Sequence, residues 1–220
     1  MIEAVVFDLD GVLVQSEEVW DAARRELVAA SGRRWPPEAT SAMMGMSSVE
    51  WSRYLSDRLE IPAEPQDISN RVVRAVEDRY RRRLPWIPGA REAVARLASR
   101  WPLGLATSSN REIIDLVLRA GGLEGMFAAT VSSEEVERGK PAADVYLEAA
   151  RRLGVKPHRC VAIEDSSNGL RAGAAAGMHV VAIPNPAHPP SQEALGAATV
   201  ILRSLDDLTP EVVSALDDGT

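Results

Sequence analysis

Two aspartates, Asp8 and Asp10, stand at the end of a short apolar run in the sequence IEAVVFDLDG. The run is rich in β-branched residues, which predicts a buried strand, and the two carboxylates lie where that strand would reach the surface. Like charges this close raise each other's pKa unless a cation or a proton lies between them. The pair therefore predicts a site that holds a cation or moves a proton.

Three later apolar runs also end at side chains that could bind a charged ligand: Thr107, Ser108 and Asn110 at the first, Lys140 after the second, and Glu164 and Asp165 at the third. In a parallel sheet the carboxyl ends of the strands share one edge, where ligands bind. Carboxylates suit Mg²⁺, whereas hydroxyl groups at a helix N-terminus and a lysine suit an anion. The pattern therefore predicts Mg²⁺ at Asp8, Asp10 and Asp165, beside a phosphate held by the hydroxyl cluster and Lys140.

The three histidines, His158, His179 and His188, lie away from these strand ends in the sequence, although His179 directly precedes a predicted strand. An imidazole is therefore not expected to act as the acid or base of the site. Proton transfer falls to a carboxylate, and Asp10 is placed for that task.

Apolar runs alternate with helical patterns through the second part of the chain. The predicted strands are residues 2–7, 103–107, 127–131, 160–164, 180–184 and 198–202. The predicted helices lie near 90–99, 111–120, 142–153, 167–176, 191–196 and 209–216. Continuous apolar strands separated by helices indicate a parallel sheet covered on both faces. The expected fold is therefore α/β, with a Rossmann-like parallel sheet as its core.

Residues 16–84 have helical spacing and no strand pattern. One helix is predicted to begin after Ser16, and others lie near 38–44, 48–59 and 67–84. The sequence LPWIPG then supplies prolines and a glycine that stop the last helix. The predicted organisation is a discontinuous α/β core of residues 1–15 and 86–220 with an inserted, all-helical cap of residues 16–85.

The composition limits the partners of this 220-residue chain. Its formal net charge of -7 argues against nucleic acid or an anionic membrane as the main partner, because both need a basic surface. The single cysteine, Cys160, excludes an internal disulfide and fits a reducing compartment. No apolar window has the length of a membrane span and the first residues do not resemble a signal peptide, so a cytoplasmic location is expected. No pattern indicates the oligomeric state.

The sequence DLDGVL, the Thr107 motif, the lysine of GKP and the acidic pair of IEDSSNGLRAGAAAGM resemble, in order and spacing, the four motifs of the haloacid dehalogenase-like hydrolases. The resemblance covers residues 1–15 and 86–220. The helical insert is similar to the small cap of the branch that contains β-phosphoglucomutase and phosphoglycolate phosphatase. This resemblance implies an α/β core with a helical cap, Mg²⁺ as cofactor and a small phosphorylated metabolite as substrate.

The resemblance also implies a role for each residue. Asp8 would attack the phosphate and form an aspartyl-phosphate, while Asp10 would protonate the leaving oxygen and then activate water. Asp10 would also ligate Mg²⁺ through its main-chain carbonyl, Asp165 would be the remaining protein ligand, and Glu164 would reach the metal through water. The dehalogenases of this superfamily lack the second aspartate, so Asp10 argues against that activity.

Three positions depart from the pattern of relatives. Gln15 stands where many of them have a further aspartate, and Trp20 and Ser48 stand where the mutase branch has a histidine and an arginine. The expected function is therefore a Mg²⁺-dependent phosphatase, with a β-phosphoglucomutase-like sugar-phosphate mutase as the alternative. A non-catalytic, phosphate-binding regulatory protein is disfavoured, because a binding protein needs no nucleophile with an acid partner.

Overall fold

A computed structural model of the chain describes residues 1–43 and 46–216, and its centre is a six-stranded sheet. The strands are β1 (Ala4–Phe7), β2 (Leu103–Thr107), β3 (Phe127–Ser132), β4 (Cys160–Glu164), β5 (His179–Ala182) and β6 (Val200–Ile201). They pair in the order β3-β2-β1-β4-β5-β6, and every pair is parallel. The predicted parallel sheet is confirmed, with shorter strands at β1, β5 and β6 than the apolar runs suggest.

Helices cover both faces of the sheet. The α-helices described after residue 89 are α5 (Ala90–Ala98), α6 (Arg111–Gly121), α7 (Asp144–Leu153), α8 (Ser167–Ala175), α9 (Gln192–Leu195) and α10 (Pro210–Ala215). Alternate residues of β1 point to opposite faces, because Val5 and Phe7 belong to one hydrophobic cluster and Ala4 and Val6 to another. All four are fully buried, which explains why this strand is apolar at every position.

The described residues between β1 and α5 form four α-helices, which are α1 (Glu17–Ala30), α2 (Ala39–Met43), α3 (Ser48–Arg58) and α4 (Pro65–Arg82). Ser47 caps α3 in a reciprocal arrangement with Glu50, and α4 packs against both α1 and α3. The all-helical insert is confirmed, although residue 44 of the predicted helix 38–44 lies outside the described residues. The division into a core of residues 1–15 and 86–220 and a cap of residues 16–85 stays a prediction.

The site is positioned by the central place of β1 in the sheet. β1 lies between β2 and β4, so three strands carry their carboxyl ends to the same part of one sheet edge. Within residues 1–43 and 46–216, no helix combines the length and the hydrophobicity that crossing a bilayer would need.

Candidate active site

The end of β1 delivers Asp8 and Asp10 to the sheet edge. The amide of Asp8 donates to the Ile163 carbonyl at 3.0 Å, so the pairing with β4 continues one residue beyond β1. The chain then turns at Gly11, which has a φ of +78°. A Cβ at Gly11 would lie 1.9 Å from Oδ2 of Asp165. Glycine therefore permits the turn and also lets the Asp165 carboxylate lie against the backbone.

Asp8, Glu164 and Asp165 form a buried acidic cluster. Their side chains offer carboxylate oxygens that lie within 4.8 Å of one another. Among the described residues, Lys140 is the only cation that pairs with this cluster. Its Nζ lies 2.9 Å from Oδ1 of Asp8 and 2.6 Å from Oε1 of Glu164. Three carboxylates and one ammonium leave two negative charges uncompensated when all four groups are ionised.

Both oxygens of Glu164 are already engaged by the protein. Oε1 accepts from Nζ of Lys140 at 2.6 Å and from Oη of Tyr146 at 2.8 Å. Oε2 accepts from the amide of Asp165 and from the amide and hydroxyl of Ser166. A Cβ at Gly169 would lie 1.8 Å from Oε1, so this carboxylate is also enclosed sterically. Glu164 thus holds Lys140 against Asp8 instead of offering free oxygens to a ligand.

Burial governs the protonation of the acidic cluster. It raises the pKa of Asp8 to about 8, although the charge of Lys140 acts to lower it. Burial, followed by the charge of Glu164, raises the pKa of Asp165 well above its usual value. Burial acts to lower the pKa of Lys140, but the carboxylates of Asp8 and Glu164 outweigh it and the pKa is raised. The lysine therefore stays charged, while the two aspartates need a further cation to be ionised at neutral pH.

The donor set fits a hard divalent cation. Asp8 and Asp165 supply carboxylate oxygens, and Oδ1 of Asp165 is buried without a hydrogen-bond partner among the described residues. A divalent charge would balance the two negative charges left by Lys140. The carboxylate of Asp10 is not part of this acidic cluster. If Asp10 binds the metal, it would do so through its main-chain carbonyl, as the family resemblance implies.

The side chain of Asp10 is held by hydroxyl groups at the end of β2. Its Oδ2 accepts from Oγ1 of Thr107 at 3.1 Å and from Oγ of Ser109 at 2.7 Å. Its Oδ1 is buried and has no hydrogen-bond partner within residues 1–43 and 46–216. Oδ2 of Asp10 is therefore fixed by hydroxyl groups, whereas Oδ1 has no described donor that competes for it.

The predicted anion-binding residues do not all reach open space. Ser108 and Lys140 line a cavity of about 370 Å³ together with Asp8, Asp10 and Asp165. Thr107 is fully buried beneath Asp10. Asn110 lines neither this cavity nor the smaller one beside it, because its amide accepts from Ser48 and donates to Glu134, each at 2.6 Å. Asn110 thus links the helical insert to the carboxyl edge of the sheet.

Ser109 was not among the predicted site residues, although it lies in the same motif as Thr107 and Ser108. Its hydroxyl bonds Asp10 and it lines the smaller cavity, which has a volume of about 50 Å³. Its place inside a recognised motif was the signal that could have revealed it.

His188 lies away from the strand ends in the sequence, yet the structure brings it to the wall of the larger cavity. β5 ends at Ala182, and the chain then turns around Asn185, whose side chain accepts from Ala187 and whose carbonyl accepts from the amide of His188. This turn returns the segment across the sheet edge. Sequence spacing alone does not show such a return, because the turn depends on side-chain hydrogen bonds.

Replacing Lys140 by methionine is expected to lower the free energy of unfolding by about 3–5 kcal/mol, the usual cost of breaking a buried ion pair. Two buried carboxylates, Asp8 and Glu164, would lose their cation. Urea denaturation measures the effect. The loss should be smaller near pH 5 than near pH 8, because protonation can then neutralise Asp8.

Arg138 provides the matched control for this substitution. It pairs with Asp144 at 2.9 Å, but its side chain is largely exposed. Exposed ion pairs contribute little to stability, so Arg138→Met should leave unfolding almost unchanged. Equal losses in the two variants would contradict the structural importance assigned to Lys140.

The chain resembles known phosphatases along most of its length. Residues 2–177 match the family described as haloacid dehalogenase-like hydrolase. A probable pseudouridine-5'-phosphatase from Drosophila melanogaster is 36% identical over 213 residues, which cover 94% of this chain and 91% of the relative. Hexitol phosphatase B from Escherichia coli (strain K12) is 35% identical over 214 residues, which cover 94% and 95%.

The fold is also similar to that of a solved sugar-phosphate mutase. A crystal structure of β-phosphoglucomutase from Clostridium difficile matches with a TM-score of 0.85 and 24% identity, covering 99% of this chain and 98% of the other. At that identity the likeness describes the fold alone. The chain, as its four motifs predict, belongs to the haloacid dehalogenase-like hydrolases and, by its similarity to named phosphatases, is a phosphatase of that family.

Proposed function

We propose that this protein is a Mg²⁺-dependent phosphatase that hydrolyses a small phosphorylated metabolite through an aspartyl-phosphate on Asp8. The observation that carries the proposal is the position of Asp8, 2.9 Å from Lys140 in a cavity of about 370 Å³ that Asp10 and Asp165 also line. A cavity of this volume suits a small metabolite.

Asp8, Asp165 and the main-chain carbonyl of Asp10 would hold the Mg²⁺ ion. When bound, the ion supplies positive charge that offsets the phosphate and ionises the surrounding carboxylates. Lys140 adds a fixed positive charge 2.9 Å from Oδ1 of Asp8. Glu164 keeps that lysine in place through a hydrogen bond of 2.6 Å.

The chemistry proceeds in two displacements. An oxygen of Asp8 attacks phosphorus, and the bond from phosphorus to the ester oxygen breaks as Asp10 donates a proton to that oxygen. Asp10 then takes a proton from a water molecule, which attacks phosphorus and releases inorganic phosphate with Asp8 restored. The hydrogen bonds from Thr107 and Ser109 to Oδ2 of Asp10 leave Oδ1 for these proton transfers.

A phosphatase is preferred to a mutase because of the residues that line the smaller cavity. A mutase must orient a returning sugar and keep water from the aspartyl-phosphate. Trp20 offers a largely apolar surface there, and the hydroxyl of Ser48 already donates to Asn110. The relatives from Drosophila melanogaster and Escherichia coli, at 36% and 35% identity, are both named as phosphatases, which also supports hydrolysis.

Phosphate release from a panel of sugar and polyol phosphates tests this proposal. We expect hydrolysis with Mg²⁺ and a loss of at least about 100-fold in EDTA, because a carboxylate cannot approach an unscreened phosphate dianion. Asp165→Asn should raise the Mg²⁺ concentration needed for half-maximal rate. Appreciable turnover in metal-free buffer, or an unchanged Mg²⁺ requirement in the variant, would contradict the assigned metal site.

The change in Tm on addition of Mg²⁺ tests the same metal site without requiring catalytic turnover. The raised pKa of Asp8 stabilises the metal-free protein at low pH, and this contribution is lost as pH rises from near 4 toward about 8. Mg²⁺ should therefore raise the Tm more near pH 8 than near pH 5, where binding must first displace protons. Asp165→Asn should reduce that increase.

A further inference from the structure

Arg24 of α1 is a buried cation that the chemistry above does not use. It is 7% exposed, and its guanidinium carbon lies 5.4 Å from the ring centroid of Trp20 and 5.0 Å from that of Trp51. Its Nε is buried, and among residues 1–43 and 46–216 Arg24 has no hydrogen bond or ion pair. A buried charge without such partners is costly unless a ligand supplies them.

Arg24 lines the smaller cavity, of about 50 Å³, together with the apolar side chains of Trp20, Met43 and Trp51 and with several polar residues. This cavity and the larger one share three lining residues, Asp10, Glu17 and Ser108. Asp8, Lys140 and Asp165 line only the larger cavity, whereas Arg24 lines only the smaller. A substrate with its phosphate at Asp8 would therefore extend past Asp10 toward Arg24.

The acids around Arg24 do not neutralise it by direct contact. Burial lowers the pKa of Arg24 to about 10, and the charges of Glu17, Asp21 and Asp10 act to raise it, so it remains a cation at neutral pH. None of the three forms an ion pair with it. Asp21 instead accepts from Thr40 at 2.6 Å and pairs with Arg25 at 2.5 Å. The guanidinium donors of Arg24 thus remain available to an anion.

We infer that Arg24 binds a carboxylate at the end of the substrate remote from the phosphate, so that the preferred substrates are phosphate monoesters of small sugar acids or hydroxy acids. This inference rests on the proposed function and deepens it. A carboxylate is compact enough for the smaller cavity, and its two oxygens match the fork of a guanidinium. The hexitol and pseudouridine named for the relatives carry no such group, so the inferred substrates differ from theirs.

Matched substrates test the inference by exchanging one terminal group. 6-Phosphogluconate differs from sorbitol 6-phosphate, and 3-phosphoglycerate from glycerol 3-phosphate, in having a carboxylate in place of a hydroxymethyl group. In at least one pair, the wild-type kcat/KM should be about 10-fold or more higher for the acid. Arg24→Gln should lower that acid-to-polyol ratio by about 10- to 100-fold, and Arg24→Lys, which keeps the charge but loses the fork, by less.

Arg82→Gln is the matched control, because it removes one positive charge from the exposed surface of α4. It should leave both the ratio and the rates as in the wild type. An unchanged ratio in folded Arg24→Gln, or an equal fall for acid and polyol, would overturn the inference and make Arg24 a structural residue. If Arg24→Gln does not fold, the acid-to-polyol ratio of kcat/KM in Arg24→Lys is measured instead. A lower ratio than in the wild type supports the inference, and an unchanged ratio overturns it.

A binding measurement separates this inference from the proposed function. In the presence of Mg²⁺, the Asp8→Asn variant is titrated calorimetrically with each phosphorylated acid and with its matched polyol phosphate. Because this variant does not turn over, the titration compares the binding affinities of the two ligands. The acid should bind about 10-fold more tightly, and adding Arg24→Gln should remove the difference. Failure to hydrolyse any ester, p-nitrophenyl phosphate included, would refute the phosphatase mechanism, whereas equal binding of acid and polyol would refute the role of Arg24.

Discussion

Asp8→Asn is expected to lower kcat for hydrolysis of any phosphate ester by about 10⁴-fold or more, because the variant lacks the nucleophile of the proposed mechanism. An asparagine has nearly the shape of an aspartate, and its carbonyl can still accept from Lys140, which lies 2.9 Å from Oδ1 in the wild type. The fold should therefore survive. Acid quenching and mass spectrometry should detect a phosphorylated Asp8 in the wild type and none in the variant.

Asp57 supplies the control for this change, since it lies on the exposed face of α3. Asp57→Asn makes the same chemical substitution and should retain the wild-type rate. A folded Asp8→Asn protein that hydrolyses p-nitrophenyl phosphate at a rate close to that of the wild type would refute the nucleophile assignment.

Asp10→Asn is expected to fail at a different step. The variant keeps the nucleophile but cannot donate a proton to the leaving oxygen or take one from water, which should lower turnover by about 10²- to 10⁴-fold. p-Nitrophenolate leaves without protonation, so the first displacement on p-nitrophenyl phosphate should still occur. A burst of p-nitrophenol followed by a slow steady rate, with the aspartyl-phosphate persisting on Asp8, is the expected signature.

The comparison between substrates strengthens this test. A polyol phosphate has a poor leaving group, so Asp10→Asn should form the aspartyl-phosphate from it far more slowly than from p-nitrophenyl phosphate. Release of inorganic phosphate at the wild-type rate would exclude Asp10 as the acid and base. Equal slowing of both displacements for both substrates would indicate that Asp10 serves only to shape the site.

The sheet was predictable because its central strands are buried on both faces. β2 and β4 have the predicted bounds, since a fully buried parallel strand is a continuous apolar run. The edge strand β6 was predicted over residues 198–202 but pairs only over Val200–Ile201, and Ile201 is 53% exposed. An edge strand is partnered on one side alone, so hydrophobicity constrains its bounds less.

The residues of the four motifs were predictable because chemistry dictates their types, whereas Arg24 was not found. Glu17, Trp20 and Arg24 are spaced to lie on one side of α1, but a face with two charged residues is usually read as facing solvent. Trp51 on α3 packs against both Trp20 and Arg24 of this face. The spacing of residues within α1 does not show that Trp51, 27 residues after Arg24, packs against this face.

The position of β1 in the sheet has a consequence for the order in which the chain folds as it is synthesised. Val5 pairs with Leu103 and Val161, which follow it by 98 and 156 residues. Helix α4 contacts both α1 and α3, and all three helices are translated before either neighbouring strand. The insert can therefore pack early, while the strand that carries Asp8 waits with both edges unpaired. The acidic cluster forms only after most of the chain has left the ribosome.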